Sequence, residues 1–167
     1  SPHWPDGYSL HTPVPGPATF VLDVHLRRLA KLLRMLGFDS RYENDYDDAT
    51  IARIAQEEKR IVLTRDIGLL KHRAISRGYW LRSQHADEQL AEVIRQFQLK
   101  TQFQPFIRCL TCNGSLLKVP KETVLEKLPP KTRLYFDEFY RCQTCQRVYW
   151  KGSHYERMQA FLEKMAG

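Results

Sequence analysis

Apolar and polar positions along the chain repeat with two different periods. Ala18 to Asp23 (ATFVLD) is an apolar run that ends on an acid, too short for a helix and predicted to be a strand. From Leu26 the apolar residues Leu26, Leu29, Ala30, Leu33 and Leu36 return at helical spacing, and Gly37 supplies the stop. At about 100° per residue, Arg27, Lys31 and Arg34 fall together on the opposite face with Arg28 beside them. One side of this helix is apolar and the other cationic.

The same alternation continues. A strand is predicted near Ser40 to Glu43, then an acidic turn (NDYDD) and a helix from about Ala49 to Lys59, with Asp47 or Asp48 placed to cap it. Ile61 to Thr64 reads as a third strand, followed by a short helical piece through Leu69, Leu70 and His72. Tyr79 to Leu81 reads as a fourth, leading through SQHADEQ into a helix over Glu88 to Phe97. Strand and helix alternating in this way predict right-handed βαβ units, hence an α/β domain with a parallel sheet flanked by helices over residues 18–100.

Parallel strands present their C-terminal ends at one edge, where ligands bind. Asp23 ends the first strand, Asp48 follows the second, Asp66 the third and Asp87 the fourth. Acids brought together repel unless a cation lies between them, and Mg²⁺ or Mn²⁺ with oxygen ligands is the economical solution. The competing reading is that each Asp caps the helix behind it. A cationic helix beside several acids favours metal with phosphate, with Arg27, Arg28, Lys31 and Arg34 as phosphate partners. Thr64 lies two residues before Asp66 and faces the same way in an extended chain. It is read as a support for a carboxylate or as an ordinary strand residue.

Charge sharpens this picture. The chain holds 26 Lys and Arg against 19 Asp and Glu, a net +7, which favours polyanionic partners. The surplus is uneven: residues 101–167 hold 11 basic and 6 acidic side chains, residues 1–100 hold 15 and 13. No apolar run reaches the roughly 18 residues of a membrane span, and the start lacks a signal-peptide pattern, so a cytoplasmic location is expected. Residues 1–17 carry five of the nine prolines and read as a tail or linker. No P-loop, G-x-G-x-x-G, G-x-S-x-G or H-E-x-x-H occurs.

All four cysteines form two C-x-x-C pairs, Cys109/Cys112 and Cys142/Cys145, 29 residues apart. Each pair can give two thiolates to one tetrahedral Zn²⁺, so a closed, structural zinc ribbon over residues 101–167 is predicted, against two disulfides or a redox pair. A stripe of Tyr155, Met158, Phe161, Leu162 and Met165 predicts a closing C-terminal helix. Aromatics interleaved with basic residues in this module suit RNA, with at least half of the rings expected in the core. His25 reads as a site neighbour or a helix-start residue with no metal role, and His154 as a packed structural histidine, the alternative being a phosphate contact at a helix N-terminus.

The segments FVLDVHLRRLAKLLRMLGFDS, DDATIARIA, RIVLTRDIGLL and GYWLRSQHADEQLAEVIRQF, with YWKGSH near the end, resemble the Mut-seven C-terminal RNase domain family of PIN-like ribonucleases. The resemblance implies that Asp23, Asp48 and Asp66, with Asp87 as a fourth, bind Mg²⁺ or Mn²⁺ and hydrolyse RNA. Asp45 and Asp47 are alternatives for the second acid. It places Arg28, Lys31 and Arg34 in a basic motif, and Arg65 beside Asp66 joins them as a candidate RNA contact. It also implies structured RNA such as tRNA as a partner, and a preceding ubiquitin-like domain. The alternative is an RNA-binding, tRNA- or ribosome-associated module of the same fold with little cleavage.

Overall fold

The computed structural model describes residues 9–10 and 16–166. Strand β1 (Ser9–Leu10) and strands β2 (Phe20–Leu22), β3 (Ser40–Arg41), β4 (Ile61–Thr64) and β5 (Gly78–Trp80) form one sheet in the order β1-β5-β4-β2-β3. The last four are parallel, and β1 adds antiparallel to β5 with Ser9 opposite Tyr79. The strand at Ser9–Leu10 lies inside the segment expected to be a tail. It falls in a proline-free stretch between Pro5 and Pro13, where the backbone keeps the N–H groups that a ladder needs.

Helices α1 (Arg27–Met35), α2 (Asp48–Glu58), α3 (Ile67–Leu70) and α4 (Ala86–Phe97) cover the two faces. Phe20, Leu22, Ile61 and Leu63 point into one core with α1 and α4, while Val21 and Val62 point into the other with α2. Because both faces are buried, these strands read as continuous apolar runs. Gly37 closes α1 with φ +95, and a Cβ there would stand 2.3 Å from the Gln104 carbonyl oxygen, so the close approach of the segment after α4 requires glycine.

The second sheet is antiparallel, β6 (Leu116–Val119), β7 (Phe139–Cys142) and β8 (Val148–Tyr149), and carries the four-cysteine cluster of a zinc ribbon. The long insert between the knuckles contains α5 (Pro130–Tyr135) and packs Val124 and Leu128 on Phe139. Helix α6 (Ser153–Ala166) turns back to the first sheet. Met158 is buried in the α/β core, with Phe161, Leu162 and Met165 packed against it. Among the described residues no helix is long and apolar enough to cross a membrane.

A polar clamp joins the two sheets. Asp39 Oδ1 accepts from Arg60 Nη1 (2.8 Å) and Asn113 Nδ2 (2.7 Å), and Asn113 Oδ1 accepts from the Ser40 N–H (3.0 Å). Burial alone would raise the Asp39 pKa, but the hydrogen bonds from Arg60 and Asn113 and the charges of Arg60 and Arg108 hold it below its ordinary value. A depressed native pKa contributes stability above the unfolded value, about 3.9, that is lost as the pH falls through the native one. Asp39→Asn is therefore expected to lower the free energy of urea unfolding at pH 7, with the gap from wild type closing toward pH 3. A gap that stays constant with pH would show that the carboxylate charge is not what holds the clamp.

Candidate functional site

The order β5-β4-β2-β3 puts β2 and β4 side by side where the connections reverse direction; Asp23 directly follows β2, and Asp66 lies two residues past the end of β4. The Asp23 N–H still bonds the Leu63 carbonyl (3.2 Å), so the ladder carries the acid to the rim. Asp23 Oδ1 accepts from the His25 N–H (2.9 Å) and Oδ2 from the Thr64 hydroxyl (2.9 Å). Thr64 is fully buried and its oxygen accepts from the Asp66 N–H (2.9 Å). Asp66 caps α3 through Oδ1 on the Gly68 N–H (2.8 Å), and its Oδ2 has no hydrogen-bond partner among the described residues. The capping and metal readings are thus compatible here, since each carboxylate commits its local bonds and retains lone pairs.

A cleft of about 430 Å³ opens above these groups, lined by Asp23, Asp48 and Asp66 together with His25, Tyr46, Arg65, Gln84 and Gln89. Of the neighbouring acids, Asp48 lines the cleft. Asp47 caps α2 by accepting from the Thr50 N–H (2.7 Å), and Asp45 is exposed outside the lining. Asp87 stands apart, exposed in the first turn of α4. It lines an adjoining groove with Arg28 and Lys31, which shares His25, Gln84 and Gln89 with the cleft. Three of the four candidate acids therefore share one cavity, arriving from β2, β4 and α2. Mg²⁺ needs only one or two carboxylates and keeps several waters, which suits acids that line the cleft without closing to the ligand spacing reached by the cysteines.

The basic candidates divide. Arg28 and Lys31 are exposed along the groove. Arg34, expected with them on an RNA-facing surface, is only 3% exposed. Its Nε donates to the Ser40 carbonyl (2.9 Å) and its Nη1 to the carbonyls of Leu110 (2.9 Å) and Thr111 (3.2 Å). The first cysteine knuckle covers this face of α1, which helical period alone does not reveal. Arg65 Nη1 donates to the carbonyls of Leu81, Arg82 and Ser83, so its guanidinium holds the loop before α4 while lining the cleft.

Sequence reasoning did not single out Gln84, Gln89 and Glu92. Gln89 Nε2 donates to the Ser83 carbonyl (2.9 Å). Glu92 accepts from the N–H groups of Arg82 and Ser83 (2.9 Å each), so the two side chains shape the rim that Gln84 occupies. The density of polar residues in SQHADEQ was the available signal for Gln84 and Gln89, and Glu92 lies beyond it inside α4.

The four cysteine sulfurs lie within 4.8 Å of one another, with Cys109–Cys145 at 3.6 Å and Cys112–Cys142 at 3.4 Å. A tetrahedron with Zn–S bonds of about 2.3 Å has edges near 3.8 Å, so the cluster is compatible with zinc. No other group of possible metal ligands is gathered in this way among the described residues. Burial raises the Cys142 thiol, but the N–H groups of Cys145 and Thr144 outweigh it and bring it down to about 7. Burial and the neighbouring sulfurs push Cys112 up to about 12. Packed so closely, the four thiols cannot all ionise without a cation.

A family model described as the Mut7-C RNAse domain matches residues 18–162, from just before β2 into α6. No curated protein and no solved structure matches the chain.

Proposed function

We propose that this chain, which belongs to the Mut7-C RNAse domain family, is a metal-dependent ribonuclease that hydrolyses RNA phosphodiester bonds in the cleft of Asp23, Asp48 and Asp66. The observation that carries this reading is the hydrogen-bonded link from the Asp66 N–H through the Thr64 hydroxyl to Asp23 Oδ2. It ties the Asp23 carboxylate to the backbone of Asp66, and both residues line one cavity. Mg²⁺ or Mn²⁺ held there supplies Lewis acidity, lowering the pKa of water and offsetting charge on the phosphate.

The side chains have separate tasks in this reading. Asp23 and Asp66 would hold the ion, with Asp48 on the lining of the same cleft. Thr64 orients Asp23, and Arg28 and Lys31 pair with phosphates along the adjoining groove. Asp87, on that groove, acts at its edge. Cys109, Cys112, Cys142 and Cys145 would hold Zn²⁺ as a structural tie for the ribbon, whose surplus of basic side chains would add attraction for structured RNA such as tRNA.

The direct test follows labelled RNA with Mn²⁺, with Mg²⁺, and with neither. Omission of the metal is preferred to a strong chelator, which would also strip the ribbon. Cutting is expected only with added metal. Tight RNA binding with no cutting under any metal would leave a binding module in its place.

Thr64→Val keeps the shape but removes the link between the acids. Supporting residues behind metal ligands are worth about 10–100-fold, so turnover is expected to drop by that factor. Unchanged turnover in a well-folded variant would make Thr64 an ordinary strand residue.

A further inference from the structure

We propose that a pocket at the junction of the ribbon and α6 takes an unpaired base of the RNA strand, at a distance from the acid cleft. This deepens the ribonuclease reading and rests on it. The pocket measures about 310 Å³, at the small end of ligand sites, and Phe106, Tyr149, Trp150 and Tyr155 wall it. Its size suits one planar ring, and aromatic side chains are the usual partners of splayed RNA bases.

Two features mark it as more than a packing gap. Phe106 has a left-handed backbone, φ 63, which is rare for a bulky residue and is retained where the surroundings hold it. Its ring stacks on Tyr140 (centroids 4.7 Å, 26°) and leans against Tyr155 (5.1 Å, 46°), so the strain serves to fix an aromatic wall. Arg108 also lines the pocket, and its guanidinium, engaged with the Asn113 carbonyl and with Asp39, puts a positive charge at the wall.

Shared side chains link the pocket to the proposed active site through the groove between them. His25, Gln84 and Gln89 line both the acid cleft and the groove, and His154 lines both the groove and the aromatic pocket. Arg28 and Lys31 line the groove between the two. A strand with its cleaved bond at Asp23 would pass its phosphates over these two cations and reach the pocket with a base. A fully paired strand has no free base to insert, so the pocket selects unpaired RNA.

The test measures binding without added Mg²⁺ or Mn²⁺, so that the strand is not cut, using a labelled single-stranded RNA and the same strand made abasic. Tyr155→Ala is expected to weaken binding of the intact strand about 5- to 150-fold, the range for one stacked base, and to leave the abasic strand unchanged. Tyr155→Phe, which keeps the ring, should bind as wild type does. Equal binding by Tyr155→Ala and wild type, or an equal loss with the abasic strand, overturns the proposal. Should Tyr155→Ala fail to fold, wild type decides. RNA carrying 4-thiouridine should crosslink within residues 148–155, and adducts confined to the acid cleft count against the pocket. Base-dependent binding here without metal-dependent cutting would remove the ribonuclease reading and keep the pocket, whereas cutting with no effect of Tyr155 would do the reverse.

Discussion

Asp23→Asn is expected to cut metal-dependent RNA cleavage about 10³-fold, some 4 kcal/mol on the barrier, while the protein stays folded. Residues that merely support metal ligands are worth about 10–100-fold, and a ligand itself should exceed that. The substitution keeps size and shape and removes one charge. Asn can still accept the His25 N–H or the Thr64 hydroxyl through its single amide oxygen, so the rim keeps most of its local bonding. Without metal, three carboxylates facing one cleft repel one another, and removing one relieves that repulsion. The melting temperature in metal-free buffer should therefore hold or rise as the rate collapses, the mark of a site kept for chemistry. Initial rates at saturating Mn²⁺ and thermal melting by circular dichroism measure both. An Asn variant that cuts as fast as wild type but melts lower would reduce Asp23 to an anchor of local backbone.

Cys109→Ser is expected to disorder the ribbon. Near the knuckles the buried cluster comprises Cys109, Leu116 and Cys142, flanked by Tyr140 and Tyr149, so two of its three buried members are metal-ligand candidates. A second cluster of Val124, Leu128 and Phe139 serves the far ends of these strands, and the knuckle end is left with a core too small to offset its own ordering entropy. Zinc can offset it, since its binding is worth about 10–16 kcal/mol in zinc-finger peptides. Cys109 is also fully buried and lies 3.1 Å from the Tyr149 hydroxyl, so the loss would reach β8 directly. Elemental analysis should give about one zinc per wild-type chain and far less in the variant. Backbone amide spectra should show β6 to β8 losing dispersion. Two disulfides and no zinc in the wild-type chain would reverse this expectation.

The two expected losses differ in kind. The Asp23 effect appears in rate with the fold intact, and the Cys109 effect appears in the fold first. A variant affected in both would indicate that the ribbon shapes the cleft. The Arg34 bonds from α1 to the first knuckle and the Asp39–Asn113 contact provide the path for such coupling.

Legibility in the sequence followed burial. β2 and β4 were readable because Phe20–Leu22 and Ile61–Leu63 are buried on both faces and leave unbroken apolar runs. Helices α1, α2 and α4 were readable because each buries one stripe. The paired C-x-x-C spacing located the knuckles, since two ligands on one turn need that spacing. Ser9–Leu10 carries no pattern of its own, and its pairing is made by the edge of β5. Arg34 sits on the polar face of α1 by period, yet the knuckle buries it, and Asp39 gave no sign that it would bond Asn113, 74 positions along the chain.

The alternation of strands and helices from Phe20 to Phe97, the paired cysteine knuckles and the acids behind β2 and β4 were legible in the sequence alone, because backbone hydrogen bonding and burial impose periods that a linear chain displays. Which acids share a cavity was decided by the tertiary structure. The β5-β4-β2-β3 order sets Asp23 beside Asp66, the start of α2 turns Asp48 rather than Asp47 to the cleft, and α4 carries Asp87 to the next groove. Periodicity tells which face of an element is apolar. What covers the other face depends on segments far away in the chain, and only packing brings them there.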